Sequence, residues 1–209
     1  MSLESPARRA NLATTKEYGS IRAMTPDALS ATLERIAWAA AGALELREVF
    51  PAVAEAAAAI LPFDRVSLLQ FDGPRILRLY TLAGRLPAPS PETEVSLEDL
   101  SPGIRPSLHS ARRIEDLEPV LSPTYKVDRW WGEQRLRSAL WVPIILRGQP
   151  GGFLCLTSRT AGAFTPQHEA AIGSIAAVVG LALPFHPGAD AAPTPPRPHP
   201  PPSSQRGRS

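Results

Sequence analysis

Of the four tryptophans in this 209-residue chain, three crowd into one short stretch: Trp130, Trp131 and Trp141, together with Tyr125 and Arg137. Flat aromatic faces beside a guanidinium make a ligand wall, because they stack on an apolar body and offer charge to a polar group. A structural use is open to the same residues. Trp141 would serve as core filler, and Trp130 and Trp131 could divide between core and surface. His109 could ligate iron or contact an anionic ligand, but metal binding needs partners at set spacing and none lies near it in sequence. His168 falls in the first turn of a helix and reads as exposed. Cys155, the single cysteine, sits between Leu154 and Leu156 in a strand, where a buried neutral thiol with a raised pKa is expected. One cysteine excludes an internal disulfide and a cysteine zinc site. The candidate ligand-binding set is His109, Tyr125, Trp130, Trp131, Arg137 and Trp141, with no catalytic residue, no metal ligand and no identified cofactor.

The elements that must position these residues can be read from pattern. Thr25-Pro26 suits a helix start, with Thr25 as cap and Pro26 in the first turn. Leu29, Leu33, Ile36, Ala40 and Ala43 then recur at helical spacing, a narrow coiled-coil-like seam running to about Leu44. A second helix is predicted over 46–60, ended by Pro62. Arg65–Phe71 and Arg75–Ala83 read as strands joined at Asp72-Gly73. Residues 84–135 are irregular and proline-rich, with short helices predicted near 104–111 and 125–135. So long an insertion in a compact domain is usually functional or mobile.

Arg137–Leu146 and Gly152–Ser158 form a second predicted hairpin across residues 147–151. Along its first strand Ser138, Leu140, Val142, Ile144 and Leu146 share one face, expected to pack on helices. Arg137, Ala139, Trp141, Pro143 and Ile145 share the other, expected to face a pocket. Thr165 caps a last helix with Pro166 in its first turn. Ile172, Ile175, Val179 and Leu183 form its apolar stripe, and Pro184 ends it.

Hydrophobic residues make up 44% and charged residues 20% of the chain, ordinary for a globular protein. Nine of the 24 prolines fall in residues 184–209, and that stretch carries Arg197, Arg206 and Arg208 against Asp190. Without it, 19 basic and 19 acidic residues balance in 1–183, so the small net positive charge is weak support for nucleic-acid binding. No helix-turn-helix pattern is evident. No signal peptide or membrane-length apolar run is seen, and a soluble cytoplasmic protein is the expectation. The expected organisation is a disordered segment over 1–24, one domain over 25–183 and a disordered proline-rich tail over 184–209.

Helix, helix, strand pair, insertion, strand pair, helix gives an α+β layout with an antiparallel sheet. The segments ELREVF, LPFDRVSLL, RSALWVPI and FTPQHEAAI resemble a GAF domain, most of all the N-terminal sensor of bacterial AAA+ enhancer-binding, sigma-54-dependent transcriptional activators. That resemblance, over about Leu29 to Leu183, implies a central antiparallel sheet with the terminal helices on one face and a loop-covered pocket on the other. Cyclic-nucleotide-binding GAF domains carry Asn-Lys, then Phe, then Asp-Glu four residues after the Phe. Here the positions read Ser158-Arg159, Phe164 and His168-Glu169. The Asn and Asp are missing, which counts against cyclic nucleotides, and Arg159 and Glu169 are expected to form an ion pair between hairpin and helix. Bilin-binding relatives that use a cysteine hold it in a loop beside a histidine, unlike Cys155.

Two functional readings follow. One is a non-enzymatic sensor that binds an unidentified small molecule, pairs into a homodimer through its terminal helices and acts on a separate output protein. The other is a ligand-free dimerisation module, a remnant of a longer regulator. The abrupt change at Pro184 is what a shifted reading frame or truncation would produce, and proline-rich tails also occur naturally. An enzyme has no carboxylate pair, triad or phosphate loop behind it.

Overall fold

The computed structural model describes residues 26–42, 46–84, 86 and 93–182. Thr25, Ala43, Leu44, Leu183 and both proposed tails lie outside the described residues. The chain runs α1 (Pro26–Gly42), a 3-10 turn (Leu46–Val49), α2 (Phe50–Ile60), β1 (Arg65–Phe71), β2 (Ile76–Gly84), β3 (Thr93–Ser96), a 3-10 turn (Leu97–Asp99), β4 (Arg112–Ile114), α3 (Lys126–Glu133), β5 (Ser138–Leu146), β6 (Gln149–Ser158) and α4 (Pro166–Ala182). The six strands form one antiparallel sheet in the order β3-β2-β1-β6-β5-β4. This is the expected α+β architecture.

Alternation along the strands assigns the two faces. Val66, Leu68, Leu140, Val142, Leu154 and Leu156 pack with Ile36, Val53, Ile172, Ile175 and Val179 of the helices. Leu69, Trp141, Phe153 and Cys155 point the other way and join Leu100, Leu117 and Trp131 from the insertion and Leu136 just after it. Every residue of β1 is therefore buried, the mark of a strand covered on both sides.

Six details depart from the sequence reading. The second helix opens as a 3-10 turn, and its α-helical part starts at Phe50. Residues 104–111 form no helix. Their turn is held instead by the Arg112 guanidinium, which donates to the carbonyls of Pro102 (3.2 Å), Gly103 (2.6 Å) and Arg105. The short strands β3 and β4 went unseen, being too brief to show alternation.

The second hairpin turns on two residues, not five. Arg147 (φ 50°) and Gly148 (φ 81°) are both left-handed, the conformation that matches strand twist in a tight turn. Residues 149–151 continue the strand, with Gly151 as an extra residue between the pairs Ile145–Pro150 and Ile144–Gly152. At Gly152 a Cβ would lie 2.1 Å from the Leu69 carbonyl oxygen, so only glycine lets β6 close on β1.

His168 is buried, 5% exposed, where the sequence suggested an exposed ring. Its backbone N–H donates to Thr165 Oγ1 (3.2 Å), and its Nδ1 accepts from the Thr165 N–H (3.3 Å). This reciprocal pair is a capping box with histidine in the usual Glu position, and it draws the ring inward over the turn. The expected Arg159–Glu169 pair is not formed. Glu169 accepts from Arg113 (3.1 Å), and Arg159 donates through Nε to the Gln134 carbonyl (2.9 Å).

Candidate functional site

On the sheet face opposite the helices lies a cavity of about 320 Å³. Its floor is one side of three adjacent strands: Arg65, Ser67 and Leu69 of β1, Cys155 and Thr157 of β6, and Trp141 of β5. Leu79 of β2, Val95 of β3 and Leu100 close one end; Val127, Trp130 and Trp131 of α3 roof it. Trp131 stacks on Trp141 with 5.8 Å between ring centroids, and Trp141 meets Phe153 edge-on at 5.9 Å. Three aromatic rings thus run from roof to floor without a break.

Arg65 is the one basic residue on this floor, and it is only 3% exposed. Its NH2 group donates to Thr81 Oγ1 (2.7 Å), and its guanidinium lies 4.7 Å over the Trp130 ring. Among the described residues no carboxylate pairs with it. Burial pushes the guanidinium pKa down from its ordinary value, against a smaller upward pull from Cys155. Arginine nevertheless stays protonated in proteins, so the positive charge is a fixed feature of the floor. Burial also pushes the Cys155 thiol well up, so it is a neutral apolar floor group and a poor nucleophile.

Acidic and basic side chains mix on the solvent side of the cavity, where Glu94, Glu133, Lys126 and Arg129 are exposed. Asp99 is partly buried and already used, its carboxylate accepting the Ser96 N–H (3.1 Å) in a capping box.

The chain around α3 is irregular, and a few polar side chains satisfy the backbone groups that no helix or strand pairs. Asp128, 1% exposed, accepts the Ser101 N–H (3.0 Å) and the Ser122 N–H (2.8 Å), tying both loops to α3. Arg137 donates to both carboxylate oxygens of Asp116 (3.1 and 2.9 Å) and lies 3.1 Å from Glu118. The Asp116 bond lifts the Arg137 pKa, and the Arg137 bond lowers that of Asp116.

Of the six residues singled out in the sequence, Trp130, Trp131 and Trp141 come together around the cavity. Tyr125, at the N-terminal boundary of α3, does not line it. His109 is exposed on the loop before β4, and Arg137 is committed to Asp116 and Glu118. Arg65 was missed, although its signal was present. Arg65 and Ser67 alternate with Val66 and Leu68, placing two polar groups on a face that should otherwise be apolar. Among the described residues no cluster of three His, Cys, Asp or Glu side chains could hold a metal ion, and no helix is long and apolar enough to cross a membrane.

A family model described as GAF domain matches residues 45–183. No curated protein sequence matches the chain. Among solved structures, the phycocyanobilin-bound GAF domain from a cyanobacterial phytochrome superposes with a TM-score of 0.59 at 17% identity, over 74% of this chain and 92% of that one. The GAF domain from an Acinetobacter phosphoenolpyruvate-protein phosphotransferase gives 0.54 at 17%, over 73% and 90%. The chromophore-binding domain of an unusual bacteriophytochrome from R. palustris gives 0.54 at 16%, over 74% of this chain and 61% of that one. The chain spans only 36% of the longer R. palustris bacteriophytochrome structure. At these identities the likeness is one of fold.

Proposed function

Because the chain belongs to the GAF domain family, whose members are sensory signalling modules, we propose that it is a non-enzymatic sensor that holds a small molecule between sheet and α3. The observation that carries this reading is the tryptophan-walled cavity, enclosed by α3 and the loops that Asp128 fastens. Its volume lies at the lower end of the range of about 300–1,000 Å³ common for ligand sites. That suits a ligand of one or two fused rings better than the phycocyanobilin of the cyanobacterial neighbour. Cys155 also fits a covalent anchor poorly, being mid-strand with its thiol held protonated.

The signal leaves through α1 and α4, which pack on each other, with α4 lying on the opposite sheet face. Trp38 on α1 (80% exposed) and Leu181 on α4 (81% exposed) are two of only three exposed large apolar side chains among the described residues. They support pairing of two copies, or docking of a separate cytoplasmic output protein, through these helices. The seam residue Ile36, by contrast, is spent inside the protomer. A regulatory role in transcription of the sigma-54 activator kind belongs to the same reading. The alternative, a ligand-free dimerisation module, rests on Trp38 and Leu181 alone.

A thermal-shift screen of a metabolite library against the full chain, backed by native mass spectrometry, tests the sensor reading. At least one compound should raise Tm in the wild type and fail to do so in Trp130→Ala. If every Tm shift survives that substitution, or no compound gives one, the cavity is not the binding site.

A further inference from the structure

We propose that the deep end of the cavity is a receptor for a carboxylate, and that the ligand is a small flat organic acid. The inference rests on the sensor reading above and names its ligand class. The β1–β6 register sets Arg65 directly opposite Thr157, and the β5–β6 register sets Trp141 opposite Cys155, two residues along β6 from Thr157. Side chains at these positions are neighbours on one sheet face. All three line the cavity, and all are at most 3% exposed. Each carries a buried polar atom without a hydrogen-bond partner: Arg65 Nε, Trp141 Nε1 and Thr157 Oγ1. Buried polar groups are nearly always paired, so three orphans in adjoining positions around one cavity ask for a shared partner.

Chemistry narrows that partner. Guanidinium and indole nitrogens can only donate, and a hydroxyl can do so, so the missing group must accept. A fixed positive charge without a carboxylate of its own favours an anionic acceptor over a neutral one. Two neutral donors beside one guanidinium suit the two oxygens of a monoanion. At the opening Glu94 and Glu133 are offset by Lys126 and Arg129, so the charge preference comes from Arg65 at the deep end. Trp130, Trp131 and Trp141 supply flat apolar walls for the rest of the molecule.

The test uses the full chain and a matched pair of probes, 1-naphthoate and its neutral isostere 1-naphthamide, followed by isothermal titration calorimetry. Naphthoate should bind about tenfold or more tighter than naphthamide. Arg65→Met should bring the two to parity by weakening naphthoate. Thr157→Val, nearly isosteric and less exposed to a folding defect, should weaken naphthoate by about threefold and leave naphthamide unchanged. Equal binding of the two probes by the wild type would overturn the carboxylate assignment while leaving the sensor reading intact. So would a preference that survives both substitutions. If neither naphthalene probe binds, nor the smaller pair benzoate and benzamide, the carboxylate assignment falls, while the library screen above decides the sensor reading separately.

Discussion

Trp131 and Trp141 lie nearly parallel, 20° between ring planes, and this stack is the joint between α3 and the sheet. Trp131 is 4% exposed, whereas its neighbour Trp130 is only half-buried and turns its ring face to the Arg65 guanidinium. The two adjacent residues should therefore separate in their effects. Trp131→Ala opens a core void and should cost about 3–5 kcal/mol in urea unfolding. Trp130→Ala should cost about 1–2 kcal/mol and act mainly on ligand affinity. Equal stability losses would contradict the assignment of Trp131 to the core and Trp130 to the site.

Asp128 holds the roof by accepting two backbone N–H groups from separate loops. Asp128→Ala leaves the buried Ser101 N–H and the partly buried Ser122 N–H without their partner, and should destabilise the fold by about 2–3 kcal/mol. Asp128→Asn restores one acceptor and should recover part of the loss. Chemical denaturation measures both; a loss below about 1 kcal/mol for the alanine variant would mean that the loops hold their own shape.

Cys155 makes a prediction on the alkaline side. Burial raises its thiol pKa above the ordinary value of 9.0, so the folded state keeps the proton longer than the unfolded chain does. The contribution is fully present below pH 9 and shrinks as pH rises beyond it, by at most about 1.4 kcal/mol per pH unit. Plotted against pH, unfolding free energy of the wild type minus that of Cys155→Ala should be flat to pH 9 and fall from there to pH 10.5. A flat difference throughout would show that the thiol is not held in its neutral form.

His168 works in the opposite direction. Burial depresses its pKa below 6.5, with the Ala163 backbone as a smaller opposing influence, because the folded state needs the neutral ring as a cap. Stability from this group is complete above pH 6.5 and declines as pH falls. His168→Gln keeps a capping acceptor without a titrating ring. The wild type should lose stability relative to this variant between pH 6.5 and 5, and parallel curves would refute the idea.

Trp38 supplies the check on association. Light scattering at tens of micromolar should report a dimer for the wild type and a monomer for Trp38→Glu, with stability changed by less than about 0.5 kcal/mol. A wild-type monomer would remove the dimer from the account. Leu33 is unsuited to this purpose, because it packs against the protomer's own core.

The legibility of this chain follows the range of the forces involved. The alternation Leu140, Val142, Ile144 against Ala139, Trp141 was readable, since a strand buried on both sides still divides its residues by parity. Thr165-Pro166 was readable because a helix cap is local. His168 was not, because its inward turn depends on a ring accepting the Thr165 N–H, which spacing alone does not announce. Residues 147–151 misled for a similar reason: Gly and Pro signal a loop, while the close approach of β6 to β1 at Gly152 sets where the strand begins. The site divided along the same line. Aromatic residues near one another in sequence drew notice, but Arg65 meets Thr157 only through the β1–β6 ladder.

That ladder joins the two hairpins at the centre of the sheet, and the cavity floor is drawn from both. During synthesis, residue 65 emerges long before residue 157. Until β6 leaves the ribosome, nothing joins the β1 part of the floor to Trp141 of β5. The insertion carrying α3 waits through the same interval with its apolar side uncovered. A nascent chain halted before β6 thus exposes β1 and offers a chaperone an unfinished sheet edge. The cavity is accordingly a late feature of this chain, complete only once the final hairpin is in place.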